Sequence, residues 1–204
     1  MKRLFTLTFA GPILVLSGAC LVYAWVVLEF DRGVKAGQRG DFEAALAHLE
    51  AAGNPFEKIP WLPWAFKEDY QAIVFNQIGI LYQAGEYEKV VEKLEQAARE
   101  ASFMSETAAH SFWLGNVLVR RAVANPEPEE VGQGLQSAVA EYQKGLAAHP
   151  EDWDLKYNFE LTKQILTQRD QDRKKTGEKV KSILEKLQPT DEKSRQELPA
   201  EKRG

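Results

Sequence analysis

The stretch GDFEAA at residues 40–45 decides the fold, because related stretches follow it: GEYEKV at residues 85–90 and SAVAEY at residues 137–142. The first two place a glycine, an acidic residue and an aromatic residue at the start of a helical pattern. Glycine adopts the left-handed backbone of a tight turn at little cost, and such a residue commonly ends a helix. The sequence therefore predicts repeated pairs of helices joined by short turns.

A stripe of apolar and small residues accompanies each of these stretches with the same spacing. Positions 0, 4 and 7 of the stripe share one face of a helix, and small side chains there let a neighbouring backbone approach closely. The three stripes are Ala45, Leu49 and Ala52, then Val90, Leu94 and Ala97, then Ala138, Tyr142 and Gly145. We predict that each stripe packs against another helix.

These segments resemble the tetratricopeptide repeat, a helix–turn–helix unit of about 34 residues. The first helix of that family carries a large residue, then Leu-Gly, then an aromatic residue, and residues 78–82 and 113–118 are similar to it. Its second helix ends with a small–aromatic–small stripe and a later proline, as residues 138–150 do. The resemblance implies an all-α fold of stacked helix pairs, an α-solenoid. Gly40 and Gly85 are 45 residues apart, so the repeats are irregular.

A further helix is predicted over residues 152–169, without a partner helix of its own. An apolar stripe runs along it, formed by Trp153, Tyr157, Leu161 and Ile165. Repeat arrays need a capping helix, because the last repeat otherwise leaves apolar surface exposed. We predict that this stripe covers the end of a repeat domain that spans residues 31–170.

The chain begins with a long apolar segment. After Lys2 and Arg3, residues 4–28 carry no charged side chain over 25 positions. As a helix this segment could reach about 37 Å, more than the roughly 30 Å of a bilayer's hydrocarbon core. Tyr23 and Trp25 stand near its far end, where aromatic rings prefer the membrane interface. We predict that residues 1–30 form an uncleaved transmembrane anchor, although Pro12 could kink it.

Two processed forms compete with an uncleaved anchor. A signal peptide could be cleaved after the small residues at 17–19, and LSGAC at residues 16–20 resembles a bacterial lipoprotein box. Signal peptides normally have an apolar region of about 7–15 residues followed by the cleavage site. Here the apolar run continues to Leu28, so cleavage would leave a hydrophobic terminus.

The orientation of the anchor has two opposed signals. Arg32, Lys35 and Arg39 follow the apolar run and outnumber Lys2 and Arg3 before it, which slightly favours a cytoplasmic C-terminal domain. A short positive terminus leading directly into an apolar run is instead the layout of an export-type anchor. These two signals leave the orientation open. We predict a single-pass protein of the bacterial inner membrane, and the family resemblance described at the end of this subsection implies that its soluble domain is periplasmic.

A loop rich in proline and tryptophan is predicted at residues 54–65. Three prolines within nine residues argue against a regular helix there. The segment also contains Phe56, Trp61 and Trp64, whose rings need shelter from water. They could fold back onto the first repeat, lie at the membrane interface, or dock a partner.

The polar tail, residues 171–204, contains few apolar side chains. It cannot bury enough surface to offset the entropy of an ordered chain, so we predict that it is mostly disordered. One short amphipathic helix is compatible with Val180, Ile183, Leu184 and Leu187. The basic run at residues 173–175 could touch anionic lipid or nucleic acid, but we interpret it as a solvated run.

Composition and motifs argue against an enzyme. A net charge of −4 provides no basic field for nucleic acid, and one cysteine with three scattered histidines gives no metal-ligand spacing. The sequence contains no phosphate-binding glycine loop and no nucleophile elbow. We predict that the protein has no catalytic residues, cofactor or metal.

The resemblance implies a groove that holds a protein chain, lined by the first helix of each repeat. The implied groove residues are Asn76, Gln83, Phe112, Asn116, Arg120, Tyr157 and Asn158. Asparagine can pair with an extended backbone, and Arg120 could bind an acidic group. Packing would explain Asn158 equally well, and solvation would explain Arg120. The lysines of the family's carboxylate clamps are missing.

The function that follows is a membrane-anchored scaffold or assembly factor for a protein partner. Residues 150–161, PEDWDLKYNFEL, resemble a helix of small anchored repeat proteins that accompany MoxR-type ATPases and von Willebrand A-domain proteins. The MxaK type of those proteins implies a role in maturation of a periplasmic methanol dehydrogenase, including its metal loading. The alternative is a self-associating membrane-structural protein without a dedicated client.

Overall fold

The computed structural model describes residues 2–124 and 127–171, together with residue 186. Within these ranges every regular element is a helix, which confirms the all-α prediction. The α-helices are α1 Lys2–Gln38, α2 Phe42–Lys58, α3 Leu62–Ala65, α4 Lys67–Gln83, α5 Tyr87–Glu100, α6 Ala108–Ala124, α7 Pro128–Ala148 and α8 Trp153–Gln171. Apart from Gln171 and Lys186, the predicted polar tail lies outside the described residues.

The chain divides into two compact units, Met1–Ser102 and Phe103–Gly204, here called unit 1 and unit 2. The sequence predicts a single repeat domain over residues 31–170, and the division falls inside that range. It coincides with a 3-10 helix, Ser102–Glu106, whose Met104 is buried.

In unit 1, the C-terminal part of α1 packs on α2 and α4. A Cβ atom on Gly33 would lie 2.7 Å from Cγ of Leu49, and one on Gly37 would lie 2.7 Å from Cδ1 of Ile80. Both glycines are therefore needed for the close approach of the helices. Ala36 lies between them and is buried in the same cluster.

The two predicted glycine turns have the same geometry. Gly40 and Gly85 have φ values of 78° and 80°, the left-handed conformation that favours glycine. The N–H of Asp41 donates to the carbonyl of Ala36 at 3.0 Å, and the N–H of Glu86 donates to that of Leu81 at 2.9 Å. Each bond spans six residues, as in a Schellman motif that ends one helix before the next begins. The prediction of repeated turns at these positions is confirmed.

The three predicted stripes are buried. Ala45, Leu49 and Ala52 lie on α2, Val90, Leu94 and Ala97 on α5, and Ala138, Tyr142 and Gly145 on α7. Each of these helices packs on the helix before it. The spacing of 0, 4 and 7 therefore identified the packed face of all three helices.

The predicted loop at residues 54–65 is wrong in part, because α2 continues through Pro55 to Lys58 and α3 follows at Leu62–Ala65. A proline inside a helix costs about 3 kcal/mol. Here Phe56 is buried with its ring 5.5 Å from that of Tyr70. Burying such a ring stabilises by about 1.5–3 kcal/mol, which offsets most of that cost.

In unit 2, α7 packs against both α6 and α8. A Cβ atom on Gly115 of α6 would lie 2.3 Å from Cε1 of Tyr142, so this glycine makes room for the tyrosine ring. Gly145 does the same for neighbours on both sides, since its Cβ would meet Ser111 at 2.6 Å and Leu155 at 2.9 Å.

The face of α8 that packs differs from the predicted capping stripe. Its buried side chains are Leu155, Asn158, Thr162 and Ile165. Of the predicted stripe, only Ile165 is buried, whereas Trp153 and Tyr157 are 77% and 50% exposed. The prediction was wrong because large apolar side chains alone marked the face, while the core accepts Asn158 and Thr162 through hydrogen bonds.

Candidate membrane and partner surfaces

Residues 13–25 of α1 expose a continuous apolar surface. One span, Ile13–Gln38, is long and apolar enough to cross a membrane, with a mean hydropathy of 2.1. Leu14, Val15 and Leu21 are each more than 70% exposed, and Cys20 is exposed and free. A core helix of this composition would bury such side chains. This surface therefore suits an apolar surrounding better than water.

The surroundings of α1 change at Val26, which is buried. From there Glu29, Gly33 and Ala36 continue the buried face at spacings of three and four residues. The Glu29 carboxylate is satisfied by protein groups, because it accepts a bond from Nη1 of Arg32 at 2.6 Å and lies 2.7 Å from Nδ1 of His48. One helix thus combines an exposed apolar stretch, residues 13–25, with a C-terminal part that belongs to the fold of unit 1.

A second apolar surface surrounds α3. The exposed fractions of Ile59, Trp61, Trp64 and Phe66 are 37%, 63%, 48% and 41%. The interpretation that the predicted loop shelters its rings on the first repeat is therefore right for Phe56 and wrong for Trp61 and Trp64. The membrane interface and a docked partner remain as predictions for these two tryptophans.

This second surface touches α1. The ring centroids of Tyr23 and Phe66 are 5.8 Å apart, and the Tyr23 hydroxyl donates to Oδ2 of Asp69 at 3.3 Å. The Lys67 ammonium lies 5.3 Å from the centre of the Trp64 ring. The exposed aromatic residues of α3 therefore lie beside the place where α1 changes from exposed to packed.

The predicted groove residues of unit 1 are exposed and uncharged. Asn76 and Gln83 are both exposed on α4. The Asn76 side chain donates to the carbonyl of Ala72, one turn back in its own helix, at 2.7 Å. Its amide oxygen can still accept a bond from a bound chain.

In unit 2, two predicted groove residues belong to the core. Asn116 and Asn158 are 0% and 4% exposed. Oδ1 of Asn116 accepts bonds from the Tyr142 hydroxyl at 2.6 Å and from Nδ2 of Asn158 at 2.8 Å. These amides join α6, α7 and α8, so the prediction that they line a groove is wrong. Phe112 and Arg120 are half-buried, and Tyr157 is exposed.

A partly buried polar pair between α6 and α7 has no counterpart in the sequence predictions. The Ser111 hydroxyl donates to Oε1 of Glu141 at 3.0 Å, and the adjacent His110 is also buried. Burial lowers the pKa of His110, against the opposing charge of Glu141. The Ser111 hydroxyl donates to the Glu141 carboxylate and not to the His110 imidazole, so the bond between Ser111 and Glu141 holds α6 and α7 together. No short motif marks it, because Ser111 and Glu141 are 30 residues apart.

Exposed aromatic residues of α8 form a surface of unit 2, here called the α8 surface. Trp153 and Tyr157 lie one helical turn apart, with Lys156 5.7 Å from the centre of the Trp153 ring. Asp154 and Glu160 are exposed on either side of Tyr157 in the sequence. The surface therefore offers two large rings among side chains of both charges, since Glu160 also pairs with the Lys163 ammonium at 3.4 Å. The sequence predictions included Tyr157 and missed Trp153 as a surface residue.

No protein-family model matches the chain, and neither a curated protein nor a solved structure matches it. Among the residues that the structure describes, no cluster of three or more His, Cys, Asp and Glu side chains is arranged to hold a metal ion.

Proposed function

We propose that the protein is a membrane-anchored helical-repeat scaffold that holds a protein partner near the bilayer. The observation that carries this proposal is the continuity of α1, whose apolar N-terminal half and packed C-terminal half form one helix, Lys2–Gln38. An anchor joined to its domain by a continuous helix holds that domain at a fixed distance from the membrane. A flexible linker would not.

The same continuity supports an uncleaved anchor. Cleavage near residues 17–19 would cut α1 in the middle and leave Leu21 and Val22, both exposed, at the new terminus. The protein so produced would carry an apolar helix end into water, which is unfavourable. We therefore propose a single-pass anchor. The position of the two units on the periplasmic side of a bacterial inner membrane stays a prediction that the protease-protection experiment below decides.

The repeat character of the chain is part of the proposal. Repeated Schellman turns and buried 0, 4, 7 stripes are what a tetratricopeptide-like array needs to stack its helices. Such arrays commonly present surfaces for protein chains and not pockets for small substrates. This favours binding over catalysis.

The α8 surface is the proposed partner site in place of the predicted groove. Tryptophan and tyrosine dominate the binding energy of protein interfaces, because large rigid rings bury much area at little entropic cost. The side chains around the two rings carry both charges, with Lys156 beside Trp153 and Glu160 paired with Lys163, so we expect a partner that presents an apolar side chain with polar groups around it. The expected partner is a protein segment of that chemistry.

A more specific client stays a prediction. The segment that resembles the MxaK-type proteins is explained by structural roles: Asp152 caps α8, Leu155 is buried, and Asn158 bonds to Asn116. A MoxR-type ATPase, a von Willebrand A-domain protein and a methanol dehydrogenase therefore have no contact residue that argues for them. Gene neighbourhood would test this association independently.

Membrane insertion is tested by extraction of membranes with alkaline carbonate. The wild-type chain should stay in the pellet, whereas L14K with L21K should move to the supernatant, because each lysine places a charge in the hydrocarbon core. Asn76→Lys is the control for an added charge on an exposed soluble position. Release of the wild-type chain would contradict the anchor, and protease protection in spheroplasts would decide its orientation.

Partner binding is tested with a photo-crosslinking amino acid at position 157, and at position 76 as the control. A heterologous product from position 157, lost in W153A and retained in N76A with Q83A, supports the α8 surface. Products from position 76 alone would return the site to the predicted groove. Cross-links only between copies of this chain would support the self-associating alternative.

A further inference from the structure

The exposed aromatic segment between α2 and α4 has no role in the scaffold described so far. Residues 59–66, IPWLPWAF, carry no charge and are bounded by Lys58 and Lys67. Four of their large side chains, Ile59, Trp61, Trp64 and Phe66, are substantially exposed, as described above. A contiguous apolar patch of this kind marks a contact with another molecule or with a membrane.

We propose that residues 59–66, here called the interfacial segment, form a second membrane contact that lies in the headgroup layer beside the exit of α1. This inference rests on the proposed anchoring by α1. It adds that unit 1 touches the bilayer at two places.

The interfacial segment lies beside the part of α1 where a spanning helix would leave the hydrocarbon core. Phe66 contacts the ring of Tyr23, so the segment and Tyr23 lie side by side. From Leu4, the first residue of the uncharged run, to Tyr23 a helix rises by roughly 29 Å, close to the ~30 Å thickness of the hydrocarbon core. The contact therefore places the segment where a spanning α1 would leave the hydrocarbon.

The side chains of the interfacial segment are of the types that prefer the membrane interface. Tryptophan prefers the membrane interface because its ring is mostly apolar and its N–H can bond to water or headgroups. Lysines at both ends can direct their ammonium groups toward lipid phosphates while their stems stay in the apolar layer. Lys58 and Lys67 are both exposed and stand at these positions.

Nearby carboxylates do not oppose this arrangement strongly. Glu57 lies 3.6 Å from the Lys93 ammonium, and Asp69 accepts the Tyr23 hydroxyl. Glu68 is exposed at the first turn of α4. Polar groups thus begin directly after the segment, as expected at the water-facing edge of the interface.

The consequence concerns orientation. A single spanning helix leaves a domain free to rotate about the helix axis and to tilt. A second contact beside the helix restricts the tilt, since tilting away from that side would lift Trp61 and Trp64 out of the interface. Unit 1 is then held at one tilt relative to the bilayer.

Depth-dependent quenching of tryptophan fluorescence tests the inference on the full chain in phosphatidylcholine–phosphatidylglycerol vesicles that contain lipids brominated near the headgroup. A W25F, W113F, W153F variant retains only the two tryptophans of the interfacial segment. A W61F, W64F, W113F, W153F variant retains only Trp25 of α1. If Trp113→Phe lowers helicity, Trp113 stays in both variants, which keeps the comparison matched.

We expect the segment's tryptophans to lose a fraction of their emission comparable to the loss of Trp25, and to be protected from aqueous iodide. Quenching of Trp25 without quenching of the segment would overturn the second contact and leave the anchor intact. Absence of quenching in both variants would overturn the anchor as well.

Discussion

Two helix interfaces, between α1 and α2 and between α6 and α7, are here called seams. They have the same close approach at a glycine but differ in chemistry. Each has a glycine on the first helix that faces the large residue of the stripe on the second, Gly33 against Leu49 and Gly115 against Tyr142. Leu49 and Tyr142 are both fully buried. The leucine side chain needs only enough volume, whereas the tyrosine also needs a hydrogen-bond partner for its hydroxyl inside the protein.

That partner extends the seam of unit 2 to a third helix. Tyr142 bonds to Asn116 on α6, and Asn116 accepts a bond from Asn158 on α8. A buried polar network costs free energy unless its members find one another, so it specifies the register of the helices more strictly than apolar packing does. Unit 1 is thus held mainly by shape at this seam, and unit 2 by shape and hydrogen bonds together.

The largest expected effect is that of a methyl group placed in each seam. Gly115→Ala would put Cβ 2.3 Å from the Tyr142 ring, which its hydroxyl bond prevents from withdrawing, and we expect a loss of about 3 kcal/mol in unit 2. Gly33→Ala would meet the more flexible Leu49 at 2.7 Å, with an expected loss of about 1–2 kcal/mol in unit 1. Hydrogen exchange of the detergent-solubilised chain, followed by mass spectrometry, resolves the two units.

The control for this pair of variants places the leucine of the α1–α2 seam at the tyrosine position of the α6–α7 seam. G115A combined with Y142L should recover part of the lost stability, because a leucine can adjust where the bonded tyrosine cannot. Equal losses for the two alanine variants would show that the hydroxyl bond does not limit the ring.

A smaller effect is expected when only the hydroxyl is removed. Tyr142→Phe keeps the ring but takes one of two donors from the buried Oδ1 of Asn116, so unit 2 should lose about 1 kcal/mol. Tyr157→Phe is the matched control, because this tyrosine is half exposed on α8 and its hydroxyl can bond to water. Thermal unfolding monitored by circular dichroism measures both. An unchanged Y142F would mean that the network adds nothing to packing.

Acidification should weaken unit 2 through His110. Burial holds the pKa of His110 below its ordinary value of 6.5, so the unfolded chain binds more protons than the folded one between those two pKa values. Stability is therefore complete above pH 6.5 and falls as the pH decreases toward the folded-state pKa. Lys144 acts in the same direction as burial, and Glu141 opposes both.

Hydrogen exchange of α6 and α7 as a function of pH measures this loss, and His110→Gln is the control. The variant should remove the pH dependence of unit 2 over this range, because glutamine does not titrate. A pH dependence that persists in H110Q would assign it to other groups.

The parts of the fold that depend on helical period were predictable. The stripes containing Leu49, Leu94 and Tyr142 follow from spacing alone, and the turns at Gly40 and Gly85 follow from the one residue that tolerates their backbone. Both signals are local. They require no knowledge of which helix lies opposite.

The candidate site was harder to predict, because it depends on how each helix is rotated. Consecutive residues on a helix differ in direction by about 100°, so the choice between Tyr157 and Asn158 as the exposed residue decides the surface. The groove positions of the tetratricopeptide family predict that Asn116 and Asn158 face outward. Both lie inside, because Asn116 accepts a bond from the Tyr142 hydroxyl on α7 and another from Asn158. The sequence of α8 alone does not contain that partner. Similarly, the burial of Phe56 against Tyr70 decided the extension of α2 through Pro55.

The smallest expected effect compares the N-caps of the two units. Oδ1 of Asp152 accepts the N–H of Leu155 at 2.9 Å in a half-buried setting, and Oδ1 of Asp41 accepts the N–H of Ala44 at 3.2 Å in an exposed one. Asp152→Ala should therefore cost about 1 kcal/mol and Asp41→Ala about 0.5 kcal/mol, because water can replace the exposed cap more easily. Exchange rates of the first-turn amides of α8 and α2 measure the two losses, and serine at each position should restore most of them. A larger loss at Asp41 would mean that the Schellman turn at Gly40 depends on its cap, so that in unit 1 the turn and not the seam would be the sensitive element.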